Sequence, residues 1–277
     1  MQGERVSAAV PASADSWTDV GTFTVPAKVQ RLSKLDLSLA PDWGTTAVSV
    51  RFAPVFRIIG SGVQEQSPHE YVGRFGGVSV VTTGGISHDD VHEEYDLDIP
   101  VQTGGTFTVQ VNTLDEAVTA GTVEANAAYD NEAPTQKNQM SQYIDAAGTT
   151  TAGAYASVGT ITIAKPKEGS APTMISELVM GVAPDQGTSA ISLRTASVFR
   201  LTGSGIDEAG LHDFTGPYAY DGHIGTTPSQ GTAHSKMTKR IKNINIPIVA
   251  GGTITVEHQF ITETPTASTV AVGVVYK

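Results

Sequence analysis

The chain is written twice, and that duplication limits what it can fold into more than its composition does. Ala40-Pro41-Asp42-Trp43-Gly44-Thr45-Thr46-Ala47-Val48-Ser49-Val50-Arg51 returns as Ala183-Pro184-Asp185-Gln186-Gly187-Thr188-Ser189-Ala190-Ile191-Ser192-Leu193-Arg194. Val55-Phe56-Arg57 and Gly60-Ser61-Gly62 return as Val198-Phe199-Arg200 and Gly203-Ser204-Gly205. Val20-Gly21-Thr22-Phe23-Thr24-Val25 matches Val158-Gly159-Thr160-Ile161-Thr162-Ile163, 138 residues on. Ile99-Pro100-Val101 and Gly104-Gly105-Thr106 match Ile246-Pro247-Ile248 and Gly251-Gly252-Thr253, 147 residues on. The offset grows only between strand-like segments, as loop insertions on a shared core would make it. A period this long is a whole domain rather than a solenoid repeat. The chain is a tandem of two like domains.

With 277 residues, each copy is long enough to bury its own core. No cysteine is present, which excludes a disulfide framework and thiolate chemistry. The polar, Ala-rich N-terminus lacks the apolar run of a signal peptide, and no stretch approaches a membrane span, so a soluble protein made in a cytoplasm is expected.

Period-two alternation marks strands with one buried face. Leu35, Leu37 and Leu39 alternate with Asp36 and Ser38, and Phe107-Thr108-Val109-Gln110-Val111 repeats the pattern. Turn signals at Pro41-Asp42, Gly60-Ser61-Gly62 and Gly104-Gly105 separate the runs. Strands are expected near 17–26, 30–40, 46–59, 70–82, 94–101, 105–114 and 121–130, the third bending at Pro54 because proline cannot continue a central ladder. Seven or eight strands in ~130 residues without a Cys-Trp-Cys core point to a jelly-roll rather than an immunoglobulin sandwich. The expected fold is all-β, with two tandem jelly-roll-like sandwiches over 1–130 and 155–277. Residues 131–154 match nothing in the repeat and read as a surface linker, with room for one helical turn at Ser141–Ala147.

Charge distinguishes the copies. Residues 1–140 hold 8 Lys+Arg and 18 Asp+Glu, while residues 141–277 hold 9 and 10. The difference concentrates just before the repeated Ile-Pro. Copy one reads His88-Asp89-Asp90-Val91-His92-Glu93-Glu94-Tyr95-Asp96-Leu97-Asp98; copy two reads Ser235-Lys236-Met237-Thr238-Lys239-Arg240-Ile241-Lys242-Asn243-Ile244-Asn245. Two solvated loops that drifted apart would look like this. So would complementary surfaces, carried by Asp89, Asp90, Glu93 and Glu94 against Lys236, Lys239, Arg240 and Lys242, within one chain or between neighbours.

Sites of chemistry are sparse. His88, Asp90 and His92 would share one face of a strand, but no recognised zinc or calcium spacing is present, and a charged surface strand is the stronger reading. His69-Glu70-Tyr71 recurs as His212-Asp213-Phe214, and neighbours in a strand point to opposite faces, so a packing role outranks acid–base work. Arg57 and Arg200 sit inside apolar strands and are expected to lie on the outer face or to pair with a repeated acid such as Asp42 or Asp185. Gly60-Ser61-Gly62 lacks the Lys-Ser/Thr of a phosphate loop and reads as a turn. Trp43, facing Gln186 in copy two, could anchor a partner, stack on a sugar or pack on its own hairpin. The acidic balance argues against direct nucleic-acid binding. No catalytic constellation and no cofactor site is expected.

The Ala-Pro-Asp and Phe-Arg…Gly-Ser-Gly duplication with this strand count resembles the double jelly-roll major capsid proteins of tailless icosahedral viruses. The resemblance covers nearly the whole chain and is architectural. It implies a structural virion protein, assembled in the host cytoplasm, with three chains forming a pseudo-hexameric capsomer. Self-association into a homotrimer and then a capsid lattice, with other virion proteins as further partners, would follow. It would account for the charge swap, because six similar domains alternate around a ring. The alternative is a tandem carbohydrate- or surface-binding module of fibre or adhesin type, which should repeat its ligand residues in both copies.

Overall fold

The computed structural model describes residues 2–11, 13–42, 49–63, 69–81, 85–88, 91–115, 120–134, 139–165, 171–185, 192–207, 210, 212–223, 232–234, 238–265 and 267–277. These residues form strands and turns, and no helix among them is long and apolar enough to cross a membrane.

The first half holds β1 (Gln2–Ala9), β2 (Thr18–Thr24), β3 (Arg31–Asp42), β4 (Ser49–Ile59), β5 (Glu70–Val72), β6 (Gly76–Val81), β7 (Gly85–His88), β8 (Val91–Pro100), β9 (Thr106–Asp115) and β10 (Ala120–Asp130). One sheet runs β1-β10-β3-β8 and the other β2-β9-β4-β6-β7, with β5 also on β4. The second half holds β11 (Met140–Ala147), β12 (Ala156–Thr162), β13 (Met174–Asp185), β14 (Ser192–Thr202), β15 (His212–His223), β16 (Thr232–His234), β17 (Thr238–Pro247), β18 (Thr253–Phe260) and β19 (Ala267–Tyr276). Its sheets run β11-β19-β13-β17 and β12-β18-β14-β15-β16. With β5 and β6, which both pair β4, taken as one bent strand and β7 as an added edge strand, the first half is ordered 1-8-3-6 over 2-7-4-5. The second half repeats that order with β15 as its fifth strand and β16 as the added edge strand. This interleaving of first and last strands is the jelly-roll. The protein is two of them in tandem.

Alternation places the cores. Leu35, Leu37 and Leu39 on β3, Phe56 and Ile58 on β4, and Phe107 and Val109 on β9 close the first. Leu178, Met180, Phe199, Leu201, Ile254 and Val256 close the second. The Gly-Ser-Gly repeat is structural. Gly60 and Gly203 have φ of 134° and 118°, and a Cβ on either would come within 2.5 Å and 2.4 Å of the Thr106 and Thr253 carbonyl oxygens. Only glycine fits such a backbone approach.

Three expectations need correction. Met140–Ala147 is neither linker nor helical turn but β11, paired antiparallel along β19, so the second sandwich begins before residue 155. Its counterpart β1 was equally unforeseen. Both are edge strands whose small and polar residues cover only the margin of a core, so neither shows a strong apolar period. Pro54 does not split β4. The strand runs through, and its outer partner changes there, from β6 at Ser49–Phe52 to β5 at Val55–Arg57. The missing N–H thus falls in a gap between partners.

Candidate functional site

The two sandwiches meet along a seam that joins different faces. Val55, Val72, Phe75 and Leu114 of the first sandwich bury against Val179, Ala183 and Ala271 of the second. Phe56 and Ile58 enter the first core, so Val55, next to Phe56, points outward. Leu178 and Met180 enter the second core, so Val179 points outward from β13. The seam therefore joins the outer face of the β2-β9-β4 sheet to the outer face of the β11-β19-β13-β17 sheet. Such a head-to-tail contact does not satisfy itself by symmetry.

Small residues let the faces close. A Cβ on Gly181 would sit 2.6 Å from the Phe75 ring, so Phe75 lies directly on that backbone. The Phe75 N–H donates to Thr238 Oγ1 at 2.8 Å. At the rim, Trp17 meets Tyr143 edge-on at 6.3 Å.

The charged segments meet along the same seam. Arg240 donates to Glu177 and to the Glu94 carbonyl oxygen at 3.1 Å, lies 3.4 Å from Glu93, and stacks 4.5 Å from the Tyr95 ring centroid. Burial opposes the Arg240 charge, but Glu177, Tyr95 and Glu93 more than offset it and hold its pKa above the ordinary value. Burial pushes the Glu93 carboxyl up, and Arg240 counters this only in part. Lys242 reaches Asp96 at 3.4 Å, both well exposed, so this outer pair adds little stability. Lys239 donates to the Thr215 carbonyl at 2.8 Å. Asp89, Asp90 and Lys236 lie outside the described residues.

Reading back from Ile-Pro aligns Glu93 with Arg240, but the strands do not. Asp36 pairs with Glu94 where Val179 pairs with Arg240, and Leu37 pairs with Glu93 where Met180 pairs with Lys239. Copy two carries one more residue in its bulge, where Asn243 and Asn245 adopt φ of 60° and 29°. The true equivalents are Glu94 with Arg240 and Glu93 with Lys239. Lys34 pairs with Glu94 at 2.5 Å, and Glu177 with Arg240 is that same pair with both charges reversed.

The repeated arginines have aromatic partners. Arg57 stacks 4.1 Å from the Trp17 ring centroid, and Arg200 stacks 3.9 Å from that of Tyr155. Arg200 binds Asp213 through two hydrogen bonds of 2.7 and 2.9 Å, and Arg57 donates to Gln110. The acids facing the arginines across the ladder are Glu70 and Asp213, not Asp42 and Asp185. This explains the repeated His-acid pair: the acid sits opposite arginine. His69, its neighbour, is buried with no hydrogen bond to either ring nitrogen, and desolvation lowers its pKa to about 4.

Of the metal candidates, His88 ends β7 and His92 lies on β8. Asp90 lies outside the described residues, and His92 Nδ1 is 2.8 Å from Ser38 Oγ. Among the described residues no three His, Asp or Glu side chains gather as metal ligands. Trp43 lies outside the described residues.

The apolar seam escaped the sequence reading, although the duplication contained its signal. Asp36, Ser38, Glu124 and Asn126 of copy one correspond to Val179, Gly181, Ala271 and Gly273 of copy two. One outer face is polar, and its duplicate has been stripped for burial.

No family model matches the chain, and no curated protein matches it. Among solved structures it is similar to a chain in the atomic structure of Sulfolobus turreted icosahedral virus, with 11% identity, TM-score 0.48, and coverage of 99% of this chain and 90% of that one. It is similar to PNGF-II at 9% identity and TM-score 0.47, spanning 99% of this chain and 65% of that one. It is also similar to PNGase F, a glycosylasparaginase from Flavobacterium meningosepticum, at 13% identity, TM-score 0.35 and coverage of 99% and 96%. The expected double jelly-roll architecture holds, and it rests on the strand order of the two halves.

Proposed function

We propose that the chain is a structural virion protein, a major capsid protein that builds a shell from trimeric, pseudo-hexameric capsomers. One observation carries this reading: the two jelly-rolls mate through different faces. Six such domains close a ring when each offers its β2-type face to the β11-type face of the next, and three duplicated chains supply them two at a time. The copies differ where a ring of two alternating domains requires it, at the outer face and the charged edge. The reading assigns the chain a building role rather than a catalytic one and places it in the virion.

Light scattering at low and high salt tests it. A mass near three times 28.9 kDa that falls as salt rises supports the capsomer. A monomer at every salt concentration contradicts it.

A further inference from the structure

We infer that the outer face of the β12-β18-β14-β15 sheet is a docking surface for the first sandwich of another copy of this chain. The inference rests on the capsomer reading and names the surface through which it works.

Phe75 and Leu114 are each 1% exposed because the second sandwich covers them. Their duplicates are Tyr218, 143 residues on, and Ile261, 147 residues on. Tyr218 is 71% exposed and Ile261 50% exposed, two of the four large apolar residues that stand out at the surface among the described residues. Val198 duplicates Val55, and Tyr155 duplicates Trp17 at the rim. The second sandwich thus repeats most of the socket of the first, with Thr215 in place of Val72, and leaves Tyr218 and Ile261 exposed.

Applying the seam's geometry between chains sets the partner. The matching face is β1-β10-β3-β8 of a second copy. Ser38 then takes the place of Gly181, and because a Cβ there stands 2.6 Å from the ring, the two faces lie farther apart than in the internal seam. Asp36 and Glu124 stand where Val179 and Ala271 do, so this contact is polar where the internal one is apolar. Arg5 takes the place of Tyr143, since Asn126 opposite Arg5 duplicates Gly273 opposite Tyr143. It therefore comes to the edge of Tyr155, whose face Arg200 covers.

The charges fit as well. Within the chain, Arg240 reaches Glu93. Between chains, Glu94 stands at the Arg240 position and Lys239 at the Glu93 position. The same contact forms again with its polarity reversed. Reversal at one position alone would have left a like-charge pair in one of the two seams. Reversal at both keeps both attractive and opposes pairing of a first sandwich with another first sandwich.

Two variants test this by light scattering. Tyr218→Glu with Ile261→Glu places charge at the centre of the socket and should raise the trimer dissociation constant at least about tenfold, as loss of a buried anchor does. Both residues are exposed in the single chain, so its unfolding midpoint should not move. Lys239→Glu should weaken the trimer, and adding Glu94→Lys should restore it. Loss in the first variants with rescue in the second supports the docking face. If the wild type is trimeric and Tyr218→Glu/Ile261→Glu stays fully trimeric, the docking face is overturned while the capsomer reading stands. A wild type that is monomeric at low salt overturns both.

Discussion

Arg240 of the second jelly-roll lies 3.4 Å from Glu93 of the first, and it gets there from the position that Glu94 holds in the duplicate. A charge swap that looked like surface drift is therefore a contact. Arg240, Glu93 and Glu177 are each about one-fifth exposed or less at the side chain. Arg240→Glu would bring three carboxylates together and should cost about 3–5 kcal/mol, the usual result of breaking a partly desolvated pair. Chemical denaturation measures it; an unchanged midpoint would show that the seam does not depend on this contact.

Gly181 tests the apolar half of the seam. A Cβ there would overlap the buried Phe75 ring. Gly181→Val should destabilise by about 1–3 kcal/mol through overpacking. The same change at its duplicate, Ser38→Val, sits on the polar outer face and should stay within about 0.5 kcal/mol. Equal costs at the two sites would mean that the faces are not differentiated as described.

Acid should weaken the fold through two imidazoles. His69 and His258 are each 1% exposed, without a hydrogen bond at either ring nitrogen, and desolvation lowers both pKa values from 6.5 to about 4. His258 lies between Phe199 and Phe260. A depressed histidine pKa means that the unfolded chain binds more protons. Stability is therefore full above pH 6.5, falls as pH drops toward 4, and levels off below. His258→Phe should flatten part of that fall. A slope between pH 6.5 and 4 identical to wild type would remove His258 from the account.

The arginine–aromatic stacks recur in both halves and should act alike. Arg200→Met removes the Tyr155 stack and the two bonds to Asp213, and Arg57→Met removes the Trp17 stack and the bond to Gln110. Each stack should be worth about 0.5–2 kcal/mol. Thermal unfolding of the two variants measures this, and no loss in either would show that the stacks are incidental.

Much of the fold was legible in the sequence because duplication and period two are strong signals. Leu35, Leu37 and Leu39 announced β3, and the paired Gly-Ser-Gly motifs announced two identical turns. The edge strands β1 and β11 were not legible. A strand that packs one margin through Val6 and Ala8, or Ile144 and Ala146, carries too little apolar period to stand out. The charged half of the seam was legible as a swap, but its register was not. A bulge at Asn243–Asn245 shifts the alignment by one, and bulges leave no reliable trace in composition. The apolar half is a surface property that only one copy retains, visible in Asp36 against Val179 but silent in either copy alone.

Electron-microscope class averages of the purified protein at low salt test the central claim most directly. Two jelly-rolls that mate head to tail, three chains to a ring, predict particles with six lobes around a centre and three-fold symmetry. Two-lobed single chains, or two-fold dimers built from like faces, would contradict it.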